Sequence, residues 1–268
     1  MKGKTSLNRP TGIIKPNKQE LGLTIPKVSV PLIGQENIEA EDIIMPRIRL
    51  IQPISQECIR REAPAGVFKN SITGEIFENL EVLIFHFTKA RVLFNRALDP
   101  GTPEGIACMS FDGKTSSGEK KCIDCEYISW AKDEKDSLKR KAPPCDAVYN
   151  FPCIVINSAD RKMPAILSFR RTSTGQAKQL LSTIKLAQIQ WWTMIYSVTT
   201  ELTEGPKGSY YIFKIKPKRQ ATPEEQKIAE AFYKNYSGKQ IKTEYDQKDD
   251  FRGHPGNEPA PHLAEEEQ

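Results

Sequence analysis

Two pairs of short β-rich runs constrain the fold of this chain more than any other feature. The runs 148–156 and 164–171 flank the turn-like segment NSADRKM, and the runs 194–202 and 209–216 flank the Gly/Pro turn TEGPKG. Apolar runs of this length, separated by turn residues, are typical of β-hairpins. The sequence therefore predicts two hairpins and, with them, an antiparallel sheet.

Further strands and two helices complete the predicted ordered region. Residues 47–52 alternate charged and apolar side chains, and 80–87 is followed almost directly by 89–94, either as one bent strand or as a tight pair. Capping residues and helical spacing predict helices over 172–188 and 222–238. Because strands outnumber helices, we expect a mainly β, α+β fold. A partly open antiparallel barrel of the OB type suits this order, and other small β-barrels are alternatives.

The two ends of the chain differ from its middle in composition. Residues 1–44 and 239–268 are predicted to be disordered arms around an ordered domain over 45–238. The net charge is +5, but the segment 244–268 holds eight acids and two bases, so it carries −6 and leaves +11 on the rest. This distribution favours a polyanionic partner, although solubility alone also explains an acidic tail.

Several classes of protein do not fit the sequence. No run of about 18 apolar residues is present, and the basic N-terminus lacks the apolar core of a signal peptide. We therefore expect a cytoplasmic protein without a membrane partner, in the host cytoplasm if a phage encodes it. Gly-rich phosphate loops, GxSxG motifs and paired carboxylates in apolar settings are also missing from the sequence, so an enzyme is not expected.

Six cysteines include one pair that is separated by two residues. They are Cys58, Cys108, Cys122, Cys125, Cys145 and Cys153. Without a secretion signal, disulfides are a poor default, and the βαβ pattern of a redox pair is missing. Four of the cysteines form C-x13-C-x2-C-x19-C, from Cys108 to Cys145, and four thiolates suit a structural Zn²⁺ that orders an inserted loop over 100–146. The alternative is unrelated buried cysteines; Cys153 fits an apolar strand, and Cys58 has no assigned role.

Cationic and aromatic residues in the body suit a groove for single-stranded nucleic acid, where bases stack on rings and cations contact phosphates. The candidates are Lys89, Arg91, Phe94, Arg96, Trp130, Arg170, Arg171, Tyr210, Lys214 and Lys216. Two of them, Arg170 and Arg171, precede a predicted helix, whose N-terminal N–H groups favour phosphate. We expect Lys89 and Arg91 to line one groove with Tyr210 and the two lysines that follow it in the same run. For each residue alone, surface charge or core packing is an equally good explanation.

Five segments resemble bacteriophage and prophage proteins associated with single-stranded DNA binding: MPRIRLIQPIS, GVFKNSITGE, KARVLF, APPCDAVYNF and PAILSFRRTSTGQAKQLL. This resemblance runs from about residue 32 to residue 238. The layout is also similar to that of phage replication single-strand binding proteins. Such a resemblance implies an OB-type barrel, a zinc-bound insertion at the four cysteines, and an acidic tail that contacts replication or recombination proteins. The end of this chain, HLAEEEQ, lacks the terminal aromatic residue of bacterial single-strand binding proteins.

Three functions remain open from the sequence. The first is sequence-independent binding of single-stranded DNA in the replication or recombination of a phage or mobile element. The second is a structural or assembly role in the virion. The third is a zinc-ribbon transcription or recombination factor, which would prefer duplex DNA or a specific sequence.

Overall fold

The computed structural model of the protein describes residues 34, 37, 44–95, 105–132, 140–158, 163–205 and 208–238. Apart from positions 34, 37 and 44, the predicted arm and tail lie outside the described residues. The described strands are β1 (Arg47–Leu50), β2 (Phe68–Asn70), β3 (Ile76–Phe77), β4 (Leu80–Ile84), β5 (Thr88–Phe94), β6 (Ile106–Ser110), β7 (Ala131–Lys132), β8 (Arg140–Lys141), β9 (Asp146–Val155), β10 (Pro164–Arg170), β11 (Met194–Gly205) and β12 (Gly208–Gln220).

Three α-helices occur in the same ranges: α1 (Gln56–Ile59), α2 (Thr174–Ala187) and α3 (Pro223–Tyr236). The two longer helices confirm the sequence prediction. Helix α3 starts with a capping box, in which the Thr222 side chain accepts from the Glu225 N–H and the Glu225 side chain accepts from the Thr222 N–H. Helix α1 adds a single turn to the two predicted helices and is too short for a helical period to show in the sequence.

The strands form one large sheet in the order β12-β11-β4-β9-β10-β1-β2-β3, with β5 paired to β9 and β6 paired to β5. The predicted hairpins are confirmed as the antiparallel pairs β9–β10 and β11–β12. Strands β4 and β5 both pair with β9, with Val82 opposite Val155 and Thr88 opposite Asn150. Residues 80–94 are therefore one bent strand rather than a tight pair.

The sheet curls into an open half-barrel, which agrees with the expected OB-like α+β fold. Its gap between β12 and β2 is bridged by side chains. The Phe213 and Phe68 rings stack with centroids 5.6 Å apart. The Gln52 amide donates to the Tyr211 carbonyl and accepts from the Tyr211 N–H, both at 2.9 Å. Backbone groups at the edge of the sheet thus find partners without a neighbouring strand.

An apolar layer covers each face of the sheet, one on the inner side and one on the outer side. The inner face packs Phe151, Phe169 and Phe213 against the apolar side of α2, including Leu180 and Ile184. Helix α3 covers the outer face, where its buried side chains meet those of β4, β9, β10 and β11. Alternation along each strand therefore assigns neighbouring residues to opposite faces.

The connection from β6 to β9 is a crossover. Both strands pair antiparallel with β5, so they run parallel to each other on its two sides. Strand β6 ends with Ser110 opposite Arg91, and β9 begins with Asp146 opposite Val92. The connection 111–145 must therefore start at the end of β6, cross β5, and return to the level at which β9 begins. The insertion predicted over 100–146 thus includes an additional sheet strand, β6, before the crossover begins.

Candidate functional site

Two of the four predicted zinc cysteines flank the same residue of β5. Cys108 pairs with Leu93 in the β5–β6 ladder. Cys145 immediately precedes Asp146, which lies opposite Val92, so one further step of register places Cys145 opposite Leu93 as well. Residues opposite each other in a ladder share a face. The two cysteines therefore sit on the inner face, on strands about 10 Å apart across β5.

The other two predicted ligands form a turn that is tied to Cys145. Two short 3₁₀ turns, Cys122–Asp124 and Glu126–Ile128, hold the pair, and the Cys125 N–H donates to the Cys122 carbonyl at 3.1 Å. The Cys145 N–H donates to the Tyr127 carbonyl at 3.0 Å. This bond brings the pair to the start of β9, where Cys145 lies.

The Cys145 thiol is held as a neutral group by its surroundings. Burial raises its pKa to about 11, the guanidinium of Arg91 lowers it by charge and hydrogen bonding, and the charges of Cys125 and Cys108 raise it. Cys108 and Cys125 therefore both lie near Cys145. All six cysteines of the chain are free thiols. Within the described ranges, no three His, Cys, Asp or Glu side chains are placed closely enough to hold a metal ion.

The remaining two cysteines are structural. Cys153 is fully buried in the inner core, which confirms its assignment from the sequence, and burial raises its pKa to about 12. Cys58, which has no predicted role, packs against a small cluster of Ile51, Ala63 and Val67 beside α1.

Two cations of β5, Lys89 and Arg91, lie on the inner face of the sheet, and Lys178 of α2 lies near Lys89. Lys89 lies opposite Tyr149, and its ammonium is 5.6 Å from the centre of that ring. Burial lowers the pKa of Lys89, and the charges of Arg91 and Lys178 lower it further. We call Lys89, Arg91 and Lys178 the inner basic cluster. Lys178 is exposed, and it was missed from the sequence because an exposed lysine on a helix gives no sign of the residues near it.

Arg170 and Arg171 lie on another surface and are held by one carboxylate. Arg170 follows the inward-facing Phe169, so it belongs to the outer face. The Arg171 Nε donates to Asp146 Oδ2 at 2.7 Å, and an Arg170 terminal nitrogen lies 3.9 Å from the same oxygen. Their proximity to the start of α2 was predicted, whereas the neutralising Asp146 was not.

The candidates on β12 also face outward. Phe213 points into the core, so Lys214 and its alternate neighbours Tyr210 and Lys216 lie on the opposite face. Lys214 forms an ion pair with Glu201 at 3.1 Å, and Lys216 is exposed. The expectation that these residues line one groove with Lys89 was wrong, because the sheet separates their faces.

Three further candidates have different fates. Phe94 is 1% exposed and packs with Val92 and Val148, so its ring has no surface on which a base could stack. Trp130 is 61% exposed on the crossover. Arg96 lies outside the described residues.

These features define the molecule as a partly open, mainly β barrel with a cysteine-bearing crossover and a basic inner face. A family model described as Pam3 phage gp34-like protein matches residues 29–242. The chain therefore belongs to this family of phage proteins, which confirms the predicted resemblance at the level of a phage protein. No curated protein and no solved structure matches the chain. Helices long and apolar enough to cross a membrane are missing from its described residues.

Proposed function

We propose that this phage protein binds single-stranded DNA without sequence preference, during replication or recombination. The observation that carries the proposal is the inner basic cluster, where Lys89 and Arg91 lie on the same face of β5 and the exposed Lys178 of α2 adds a third positive charge nearby. Like charges at close range repel one another, and a bound phosphate would relieve that repulsion. The cluster therefore favours an anionic ligand.

An exposed aromatic ring would add contacts to bases. Trp130 exposes its ring on the crossover, whereas the Tyr149 ring beneath the Lys89 ammonium is buried. A base stacked on such a ring contributes about 1–3 kcal/mol and is accepted whatever its identity. Contacts to phosphates and ring faces would give affinity without reading base edges, which is the behaviour of a strand-coating protein.

The proposal is tested by measuring the affinity of the full chain for poly-dT and for a duplex of equal length across a salt series. We expect tighter binding to poly-dT and an affinity that falls as salt rises, because phosphate contacts release counterions. Tighter binding to duplex or to one sequence would instead favour a transcription or recombination factor. Lack of binding to either would favour a virion component, and each of these two results overturns the proposal.

A pair of charge-matched variants locates the binding surface. Lys178→Gln removes a cation of the inner basic cluster, whereas Lys227→Gln removes an exposed cation of α3, on the other side of the sheet. We expect Lys178→Gln to weaken binding to all sequences alike and to reduce the salt slope by about 0.7, the value for one phosphate contact on a single strand. Equal effects of the two variants would contradict binding at the inner face.

A further inference from the structure

The four thiols come from three separate segments of the chain that the fold brings to the same end of β5. Cys108 comes from β6, the Cys122–Cys125 pair from the crossover, and Cys145 from the start of β9. The β5 strand fixes the first and last of these on its two sides, and the bond from the Cys145 N–H to the Tyr127 carbonyl holds the pair beside them. This convergence depends on backbone pairing alone.

The donor set fits zinc. Four thiols match a tetrahedral structural site, and two of them are joined by the two-residue spacing that lets neighbouring thiolates share one ion. The thiols are free and not yet grouped at metal-binding distances. Neutral thiols have no reason to approach one another, whereas thiolates around a cation do. Closing the cluster and binding the ion would therefore be a single coupled step.

The described part of the crossover lacks a hydrophobic core that could hold it folded. Ile123 and Trp130 are 78% and 61% exposed, and Cys122 is its one buried apolar residue among those described from 111 to 131. Turns and short backbone hydrogen bonds, such as Cys122 N–H to the Lys114 carbonyl, hold the segment. A segment without a core usually depends on a disulfide or a metal.

Arg91 completes the arrangement. It lies opposite Ala147, two residues after Cys145, so its side chain is on the same face of the sheet as that thiol, and its buried Nε has no hydrogen-bond partner among the described residues. A thiolate is a stronger acceptor than a thiol, so an ionised Cys145 would use this donor better than the neutral group does. The guanidinium would also offset part of the negative charge that a four-thiolate site carries.

We propose that Cys108, Cys122, Cys125 and Cys145 bind one structural Zn²⁺ per chain, and that Arg91 is a positioning residue for the Cys145 thiolate. Each thiol loses one proton to solvent as its sulfur joins the ion, so four protons leave for each Zn²⁺ bound. The resulting site has two net negative charges, and no oxidant or reductant takes part. Arg91 also belongs to the inner basic cluster, but zinc binding by the four thiols does not require the proposed DNA binding.

Metal content tests the ligand set without reference to DNA. The full chain, purified without chelator, should contain about one zinc per chain, since four thiolates complete one tetrahedral site. Cys122→Ser and Cys145→Ser should lose most of it, and Cys58→Ser, a cysteine packed elsewhere, should keep it. Wild-type protein that is folded but contains almost no zinc overturns the proposal, as does equal loss in Cys58→Ser.

Cobalt substitution keeps the test valid if a variant fails to fold. Wild-type protein stripped of metal and refilled with Co²⁺ should show the strong visible absorption of a tetrahedral thiolate site. Refilling should also protect four of the six thiols from a thiol reagent. Absorption typical of an octahedral oxygen site, or protection of fewer than three thiols, would overturn the assignment.

The role of Arg91 has its own readout. Arg91→Gln should keep one zinc per chain but lower zinc affinity by about 10–100-fold, the usual effect of losing a group that orients a metal ligand. Arg91→Lys should recover part of that loss by retaining the charge, and Lys227→Gln should have no effect. Zinc affinity measured against a coloured chelator decides this. Unchanged zinc affinity in Arg91→Gln would show that Arg91 does not position Cys145. The assignment of the four thiols would then be judged by the metal content alone.

Discussion

Single side chains in this protein often settle the position of whole elements, and Glu57 is the clearest case. This buried carboxylate of α1 forms ion pairs with Arg49 of β1 and with Lys69 of β2, the latter at 3.1 Å. Burial raises the pKa of Glu57, but hydrogen bonds and the two nearby cations lower it more, so the net shift is downward. One residue thus fastens a single-turn helix to two strands.

Removing this charge should destabilise the fold in a pH-dependent way. Glu57→Gln should lower the free energy of unfolding at pH 7 by about 1–3 kcal/mol, because the half-buried cations Arg49 and Lys69 lose their counter-charge. Because the pKa of Glu57 is lower in the folded state, its ionised carboxylate stabilises the protein fully at pH values above its ordinary pKa of 4.5. This stabilisation is lost as the pH falls through the folded-state pKa. Urea unfolding should show that the difference in free energy of unfolding between wild type and Glu57→Gln is smaller at pH 3–4 than at pH 7. The exposed Glu62→Gln is the control. A difference that grows in acid would contradict this account.

Burial was easier to predict from the sequence than the role of a residue. The apolar setting of Cys153 in the sequence identified it as buried. Phe94 was misassigned because an aromatic residue among arginines resembles a stacking platform, although the other side of β5 also needs a core. Asp146 and Lys178 gave no signal, since their partners come from distant parts of the chain.

At the scale of elements, the closure of the half-barrel depends on a glycine. Gly66, just before β2, has φ +87°, and a Cβ added there would lie 2.5 Å from Cε1 of the Tyr211 ring. The same backbone accepts from the Thr200 hydroxyl at 2.8 Å. The missing side chain at Gly66 therefore lets β12 approach β2 closely enough for the aromatic stack between them.

Alanine at this position should weaken the closure. Gly66→Ala combines an unfavourable positive φ with a clash against Tyr211, whereas Gly74→Ala has a positive φ in open space. Overpacking typically costs about 1–3 kcal/mol, so we expect Gly66→Ala to lower the free energy of unfolding by that much more than Gly74→Ala. Denaturant unfolding of both variants measures it. Similar values for the two would show that the ring moves aside freely.

Local pairings were predictable and distant ones were not. The β9–β10 and β11–β12 hairpins were predicted because turn residues separate adjacent runs. The parallel pairing of β1 with β10 left no trace in the sequence, since its partners, Arg47 and Ile166, lie far apart in the chain. Strand β6 was hidden inside the predicted loop, because a five-residue run next to cysteines and turns lacks a clear alternation.

At the scale of the whole molecule, charge is divided between the domain and the acidic tail. The segment 244–268 carries −6, and the remainder carries +11. The tail follows α3, and a tethered anion has a high effective concentration near its own domain. Under the proposed function, we expect the tail to compete with DNA for a basic surface of the domain.

Deleting the tail tests the competition. A chain truncated after Gly238 should bind single strands more tightly than the full chain at low salt, and the gain should shrink as screening increases. Affinities of both forms for one oligonucleotide across a salt series give the answer. A second truncated form ending in a neutral linker of equal length separates charge from bulk. Equal affinity at low salt would exclude the tail as a competitor and leave DNA binding by the domain unaffected.

The order of strands in the sheet has a consequence for the time at which the protein can fold during synthesis. Strand β4 lies between β11 and β9, and β1 pairs with β10, so strands from the first half of the chain depend on partners from the second. Ribosomes add about 5–20 residues per second, so β1 waits roughly 6–24 s for a partner that is made about 120 residues later. During that interval the nascent first half presents unpaired strands, and chaperones that shield such strands would raise the yield of folded protein during infection.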